Sequence, residues 1–196
     1  MNRLILLAPM LLFGLVGGWL LYLFLQPGVG GRVYDNLVPE LIGFCLEGFV
    51  LIGLLSLFQR RRERERKADL RLSLRGSLRN ILSHLDIGLL GDTAEPAPSR
   101  ALEEDPQLVS HLIMKLADSQ LDVDAMARIK AIARRDLTTI HDLIPVAAQL
   151  SAEHIRWWLA ITDSVRTLAE GTDSSQVAAG LHRFLANLGE FDQLEL

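Results

Sequence analysis

Apolar positions follow one pattern up to residue 58 and another from residue 70 onward. Residues 4–25 form an uncharged run of about 22 residues, enough to cross roughly 30 Å of hydrocarbon at 1.5 Å per residue. A cleaved leader has a shorter apolar stretch and ends in a small-x-small site. Here Trp19, Tyr22, Gln26 and Pro27 resemble an interfacial belt and a stop. Residues 38–58 make a second, slightly short apolar run. Between the two, Pro27, Gly28, Gly30 and Gly31 mark a turn over residues 26–37. Pro39 is suited to open the second helix, with Glu40 near its positive end. The expectation is a two-helix transmembrane hairpin, with spans over about residues 4–25 and 38–58.

The second run passes into residues 59–90 without a break signal. Over that stretch the pattern turns amphipathic: Leu70, Leu74, Leu78, Ile81 and Leu85 recur at spacings of three and four. One helix is therefore expected to leave the bilayer and continue to about residue 90. Gly91 to Arg100 reads as a loop. Asp105-Pro106 then resembles a cap with proline in the first helical position, ahead of Leu108, Val109, Leu112, Ile113 and Leu116. Asp122 is a cap for a helix through Met126, Ile129, Ile132 or Ala133, Leu137 and Ile140, which Pro145 kinks or ends. Ser151 caps another, with Ile155, Trp158, Leu159, Thr162, Val165 and Leu168 inward and Gly171 as its stop. A last helix runs through Val177, Leu181, Phe184, Leu185 and Leu188 and closes at Gly189. No strand-length alternation occurs after residue 60. The fold class is all-α, with a cytoplasmic bundle of four or five helices over residues 101–190.

Charge fixes the expected orientation. Residues 60–79 hold nine Lys/Arg and three Asp/Glu, so +6; residues 100–196 hold nine and fifteen, so −6. Arg60, Arg61, Arg62, Arg64, Arg66 and Lys67 sit where lipid headgroups would meet the second span, each worth about 1 kcal/mol there. By the positive-inside rule both termini are cytoplasmic, and a bacterial inner membrane is the expected location. The single cysteine, Cys45, lies within the second run, which excludes a disulfide inside one chain. Arg71, Arg75 and Arg79 extend the basic face, read as solvated charge or as a surface for phosphates. No aromatics interleave it, which argues against a single-strand nucleic-acid surface.

Three features bear on assembly. Gly14 and Gly18 form Gly-x-x-x-Gly, a spacing that lets membrane helices approach closely. Glu47 is an ionisable residue deep in a span, and Glu40, Gly43 and Glu47 share one helix face. That face suits a hydrogen-bonded seam between copies or an ion path. These features together point to a membrane-anchored interaction module that self-associates, with pore formation or ion conduction through Glu47 as further options. The lipid bilayer and a second copy are the expected partners, with a protein partner for the acidic domain.

One segment suggests chemistry. Arg79-Asn80-Ile81-Leu82-Ser83-His84 resembles the Arg-x(4–6)-His motif of HEPN-type ribonucleases, small helical bundles that often pair two such motifs. The resemblance covers six residues in a helical context. It implies a membrane-tethered ribonuclease in which His84 is the general acid or base, Arg79 stabilises phosphate charge and Asn80 orients them. Arg134 or Arg135 with His141 makes a second match. His111, His141, His154 and His182 show no metal-ligand spacing, and no metal or cofactor is expected.

Overall fold

The computed structural model describes residues 3–26, 32–90, 95–118 and 121–195. Among them every regular element is an α-helix: α1 Arg3–Phe24, α2 Arg32–Ser77, α3 Arg79–Gly88, α4 Ser99–Glu104, α5 Pro106–Asp118, α6 Val123–Asp142, α7 Ile144–Ala148, α8 Ala152–Glu170 and α9 Ser174–Gln193. The chain divides into two compact units, Met1–Glu65 and Arg66–Leu196, and α2 runs through the division.

In the first unit α1 and α2 meet through small residues. A Cβ at Gly48 would lie 2.8 Å from the Phe13 ring, and one at Gly17 would lie 3.0 Å from the Cys45 Cβ. Gly14 faces the Phe49 ring at 3.5 Å. Phe13 and Phe44 pack at 5.9 Å between centroids, tilted by 60°. Most other large apolar side chains stay exposed, among them Leu15, Leu51 and Leu57. Among the described residues one helix is long and apolar enough to cross a membrane, and only 6% of its apolar window is buried; Ala8–Phe24 is a shorter apolar helix.

The second helix does not begin at Pro39. It is already helical from Arg32, so Pro39 lies inside it, as Pro9 lies inside α1. The bond that a proline nitrogen cannot make is a local loss, which neighbouring turns of a long helix tolerate. The expected turn residues 27–31 lie outside the described residues.

In the second unit the apolar stripe of α2 and α3 turns into a shared core. Leu74, Leu78, Ile81, Leu82 and Leu85 are fully buried with Leu112 of α5, Ile129 and Ile140 of α6, Trp158 and Val165 of α8, and Phe184 and Phe191 of α9. α8 packs along α9 and against α6, and α5 packs on α9. Trp158 donates its indole N–H to the Ile140 carbonyl at 3.0 Å, which lets a polar atom sit in the core without a desolvation penalty. Arg134 donates to the Ala169 carbonyl at 2.7 Å and Lys130 to that of Gly171, so cations of α6 meet the negative end of α8.

Several expectations shift in register. The helix expected to reach residue 90 breaks at Leu78. The Ser77 hydroxyl occupies the Leu74 carbonyl at 2.7 Å, the acceptor Leu78 would use in an α-helix. The Leu78 N–H turns to Arg75 at 3.1 Å instead, a tighter turn between α2 and α3. The loop before Asp105 contains α4, anchored by buried Leu102. Leu159 faces outward and Ile161 takes the buried place. Gly189 does not stop the last helix, which continues to Gln193; its missing side chain faces the Val109 methyl at 3.9 Å. The Ser151 cap forms, accepting the His154 N–H, and Asp105 accepts that of Gln107. Asp122 occupies its cap position without a side-chain bond.

Candidate functional site

Arg75 lies on the same helix face as Leu78 and Leu82, three and seven residues on. That face enters the core, and Arg75 goes in with it, 3% exposed. A buried guanidinium needs an opposite charge. Asp192, at the end of α9, supplies it: Nη1 and Oδ2 lie 2.8 Å apart. These atoms face each other off the line of a straight hydrogen bond, so the contact is a close ion pair. Arg75 Nη2 donates to the Asp105 carbonyl at the α4–α5 junction, at 3.3 Å.

One turn earlier, Arg71 donates to the Leu194 carbonyl at 3.1 Å and to the Asp192 carbonyl. These are carbonyls at the negative end of α9, where a cation is favoured. Two arginines of α2 therefore clamp the end of the last helix. Burial lowers the Arg75 pKa, against the opposing charges of Asp192 and Asp105. Burial raises the Asp192 carboxyl, while Arg75 and Arg71 pull it down. The guanidinium stays protonated at any ordinary pH, so the pair is held by charge. A cleft of about 270 Å³ opens beside it, lined by Arg71, Leu72, Arg75, Glu103, Glu104, Pro106 and Asp192 among others.

His154 lies at the same end of the bundle. It is 1% exposed, its Nδ1 lies 2.8 Å from the Ser151 hydroxyl, and its Nε2 is buried without a hydrogen-bond partner. Its ring meets Phe191 edge-on at 5.4 Å. Burial lowers its pKa, reinforced by Arg71 and Lys67 and opposed by Glu153.

No family model matches the chain, and no curated protein or solved structure matches it significantly. The ribonuclease resemblance thus rests on its six residues and on where they lie. Arg79 pairs with Glu103 of α4 at 2.9 Å. Asn80 donates to Asp136 of α6 at 3.1 Å, and His84 Nδ1 lies 3.0 Å from the Asn80 carbonyl. Burial works upward on Asp136, but Arg135, Asn80 and His84 together hold its carboxyl below the usual range. Arg79 is thus engaged by one helix and Asn80 with His84 by another. In the second match, Arg134 is bonded to Ala169 and Arg135 to Asp136, while His141 lies 3.7 Å from Asp142.

The other sequence-derived positions are spread along α1 and α2. Glu40 and Glu47 are exposed, and Cβ atoms at Gly18 and Gly43 would meet nothing within 4 Å. Arg60, Arg61, Arg62, Arg64 and Arg66 are exposed and Lys67 is half-buried. Arg61 pairs with Glu65 at 2.9 Å, and Arg66 donates to Gln149 at 2.6 Å. The basic face does not extend through Arg71 and Arg75 as a solvated surface, because both are drawn into the bundle.

Sequence reasoning missed Gly48, Asp192 and the burial of His154. His154 shares a face with Trp158, Ile161 and Val165, a period that places it inward, and Arg75 stands in the leucine stripe. Asp192 carries no local signal, since its partner is distant in sequence. Among the described residues no group of His, Cys, Asp and Glu is arranged to hold a metal. The arginine clamp offers firm attachment of α9 to α2 and no nucleophile, so its chemistry is that of a joint.

Proposed function

We propose that the chain is a membrane-anchored helical module that self-associates through the outer face of its second span, with both termini in the cytoplasm of a bacterial cell. The observation that carries this reading is Glu47. It is exposed on α2 between apolar neighbours, and its face differs from the one that Cys45 and Gly48 turn to α1. In hydrocarbon a carboxylate needs a polar partner, and lipid offers none. A second copy supplies one, and Gly43 on the same face lets it approach. The exposed cations Arg60, Arg61, Arg62 and Arg64 come directly after the apolar stretch and suit anionic headgroups.

The test is the native mass of the full chain in mild detergent. An oligomer is expected. Glu47→Gln keeps a hydrogen bond worth about 0.6–2 kcal/mol per contact and stays assembled, whereas Glu47→Leu shifts to smaller species. A monomeric wild type, or equal behaviour of the two variants, contradicts the reading. Ion flux through reconstituted wild type that the Gln variant loses with assembly intact would make conduction the function. For orientation, a Thr172→Cys variant is expected to resist an impermeant thiol reagent in intact cells.

A further inference from the structure

The mouth of the joint between α2 and α9 contains a histidine that the clamp does not use. We propose that His154 is an acid-sensitive latch, whose protonation releases the last turn of α9 from α2. The ring is sealed in a pocket with one polar contact, Ser151, and its Nε2 faces no acceptor. A proton added to this ring gives two N–H donors for that single hydroxyl, which already accepts the His154 backbone N–H. The charged groups around it oppose the proton. α2 presents Lys67 and Arg71, α8 presents Glu153 as the one opposing charge, and α9 presents the apolar edge of Phe191, while the Asp192 carboxylate is turned to Arg75. A charged ring is stable only if the pocket opens to water. The ring packs edge-on against Phe191, and the next residue is the one both arginines hold. Opening therefore loosens the clamp.

Burial sets the direction of the pH effect. The unfolded or opened chain binds the proton at the usual value near 6.5, the closed chain only below it. The closed form is fully favoured above that value and loses ground as the pH falls through it.

The experiment is amide hydrogen exchange of the full chain in detergent, read over residues 188–193 and corrected for the intrinsic pH dependence of exchange. Wild type is expected to lose protection as the pH falls from 7.5 to 5.5, by up to roughly tenfold, because the loss accrues at about tenfold per pH unit only below 6.5. Protection in His154→Gln stays flat over that range, and in Lys67→Gln, where the closed ring accepts the proton more readily, the loss is smaller. Flat protection in wild type, or an equal acid loss in His154→Gln, overturns the latch. If His154→Gln does not fold, Lys67→Gln decides: an acid loss as large as that of wild type contradicts the proposal and a smaller one upholds it.

Discussion

Leu54 and Leu74 lie on one helix and meet opposite fates. Leu54 is 49% exposed and Leu74 is fully buried. The division runs through the whole chain. From residue 66 on, large apolar side chains mostly turn inward among α3 to α9 and the end of α2. Before that point they mostly turn outward, and among the described residues the contacts that join α1 to α2 include Phe13 with Gly48 and Phe44, and Gly17 with Cys45. Water explains the bundle, where burying apolar area contributes about 25 cal/mol per Å². It does not explain the first unit, where large apolar side chains such as Leu15, Leu51 and Leu57 stay exposed. That exposure suits a lipid solvent, in which close packing at small residues replaces the hydrophobic effect.

The largest effect tests the buried charge pair of the bundle. Arg75→Ala leaves Asp192 buried without its partner and is expected to destabilise the bundle by about 3–5 kcal/mol, measured by denaturant titration of the full chain. The double change Arg75→Met with Asp192→Leu removes both charges and recovers most of that loss. Next comes the pair of leucines. Leu74→Ala is expected to cost about 2–5 kcal/mol. Leu54→Ala leaves the same transition within about 0.5 kcal/mol, as a surface position does. Equal losses would mean that Leu54 is packed like a core residue.

Smaller effects probe the two kinds of helix contact. Gly48→Leu overfills the contact with Phe13 at about 1–3 kcal/mol, read as a lowered midpoint in SDS titration. Gly53→Leu, where a Cβ would meet nothing within 4 Å, is expected to change little. In the bundle, Ser151→Ala removes the α8 cap at about 1 kcal/mol, read as a lowered melting temperature.

Periodicity carried much of this architecture. The leucine stripe from Leu74 to Leu85, the caps at Ser151 and Asp105, and the inward Trp158 are all consequences of local spacing. Local spacing could not carry pairing at a distance. Arg75 looks like one more cation on a basic face until Asp192 is beside it. The break at Leu78, where the Ser77 hydroxyl donates to the Leu74 carbonyl, falls inside an uninterrupted leucine spacing. The motif at Arg79 and His84 is legible in sequence, but its surroundings are not: Arg79 pairs with Glu103 of α4 and Asn80 with Asp136 of α6. Glu47 was legible because a carboxylate stands out in an apolar run, whatever meets it.

On the proposed reading lipid covers the exposed apolar residues of α2 up to Phe58, and water covers those from Arg66 onward. Leu54 and Leu72 make the sharpest pair, since both are exposed on the same helix, by 49% and 41%. With Cys45→Ala as background, Leu54→Cys and Leu72→Cys would each be treated with a membrane-impermeant maleimide in vesicles opened to both sides. The account predicts rapid modification at Leu72→Cys and none at Leu54→Cys until detergent dissolves the bilayer. Equal rates at the two positions before detergent would contradict it.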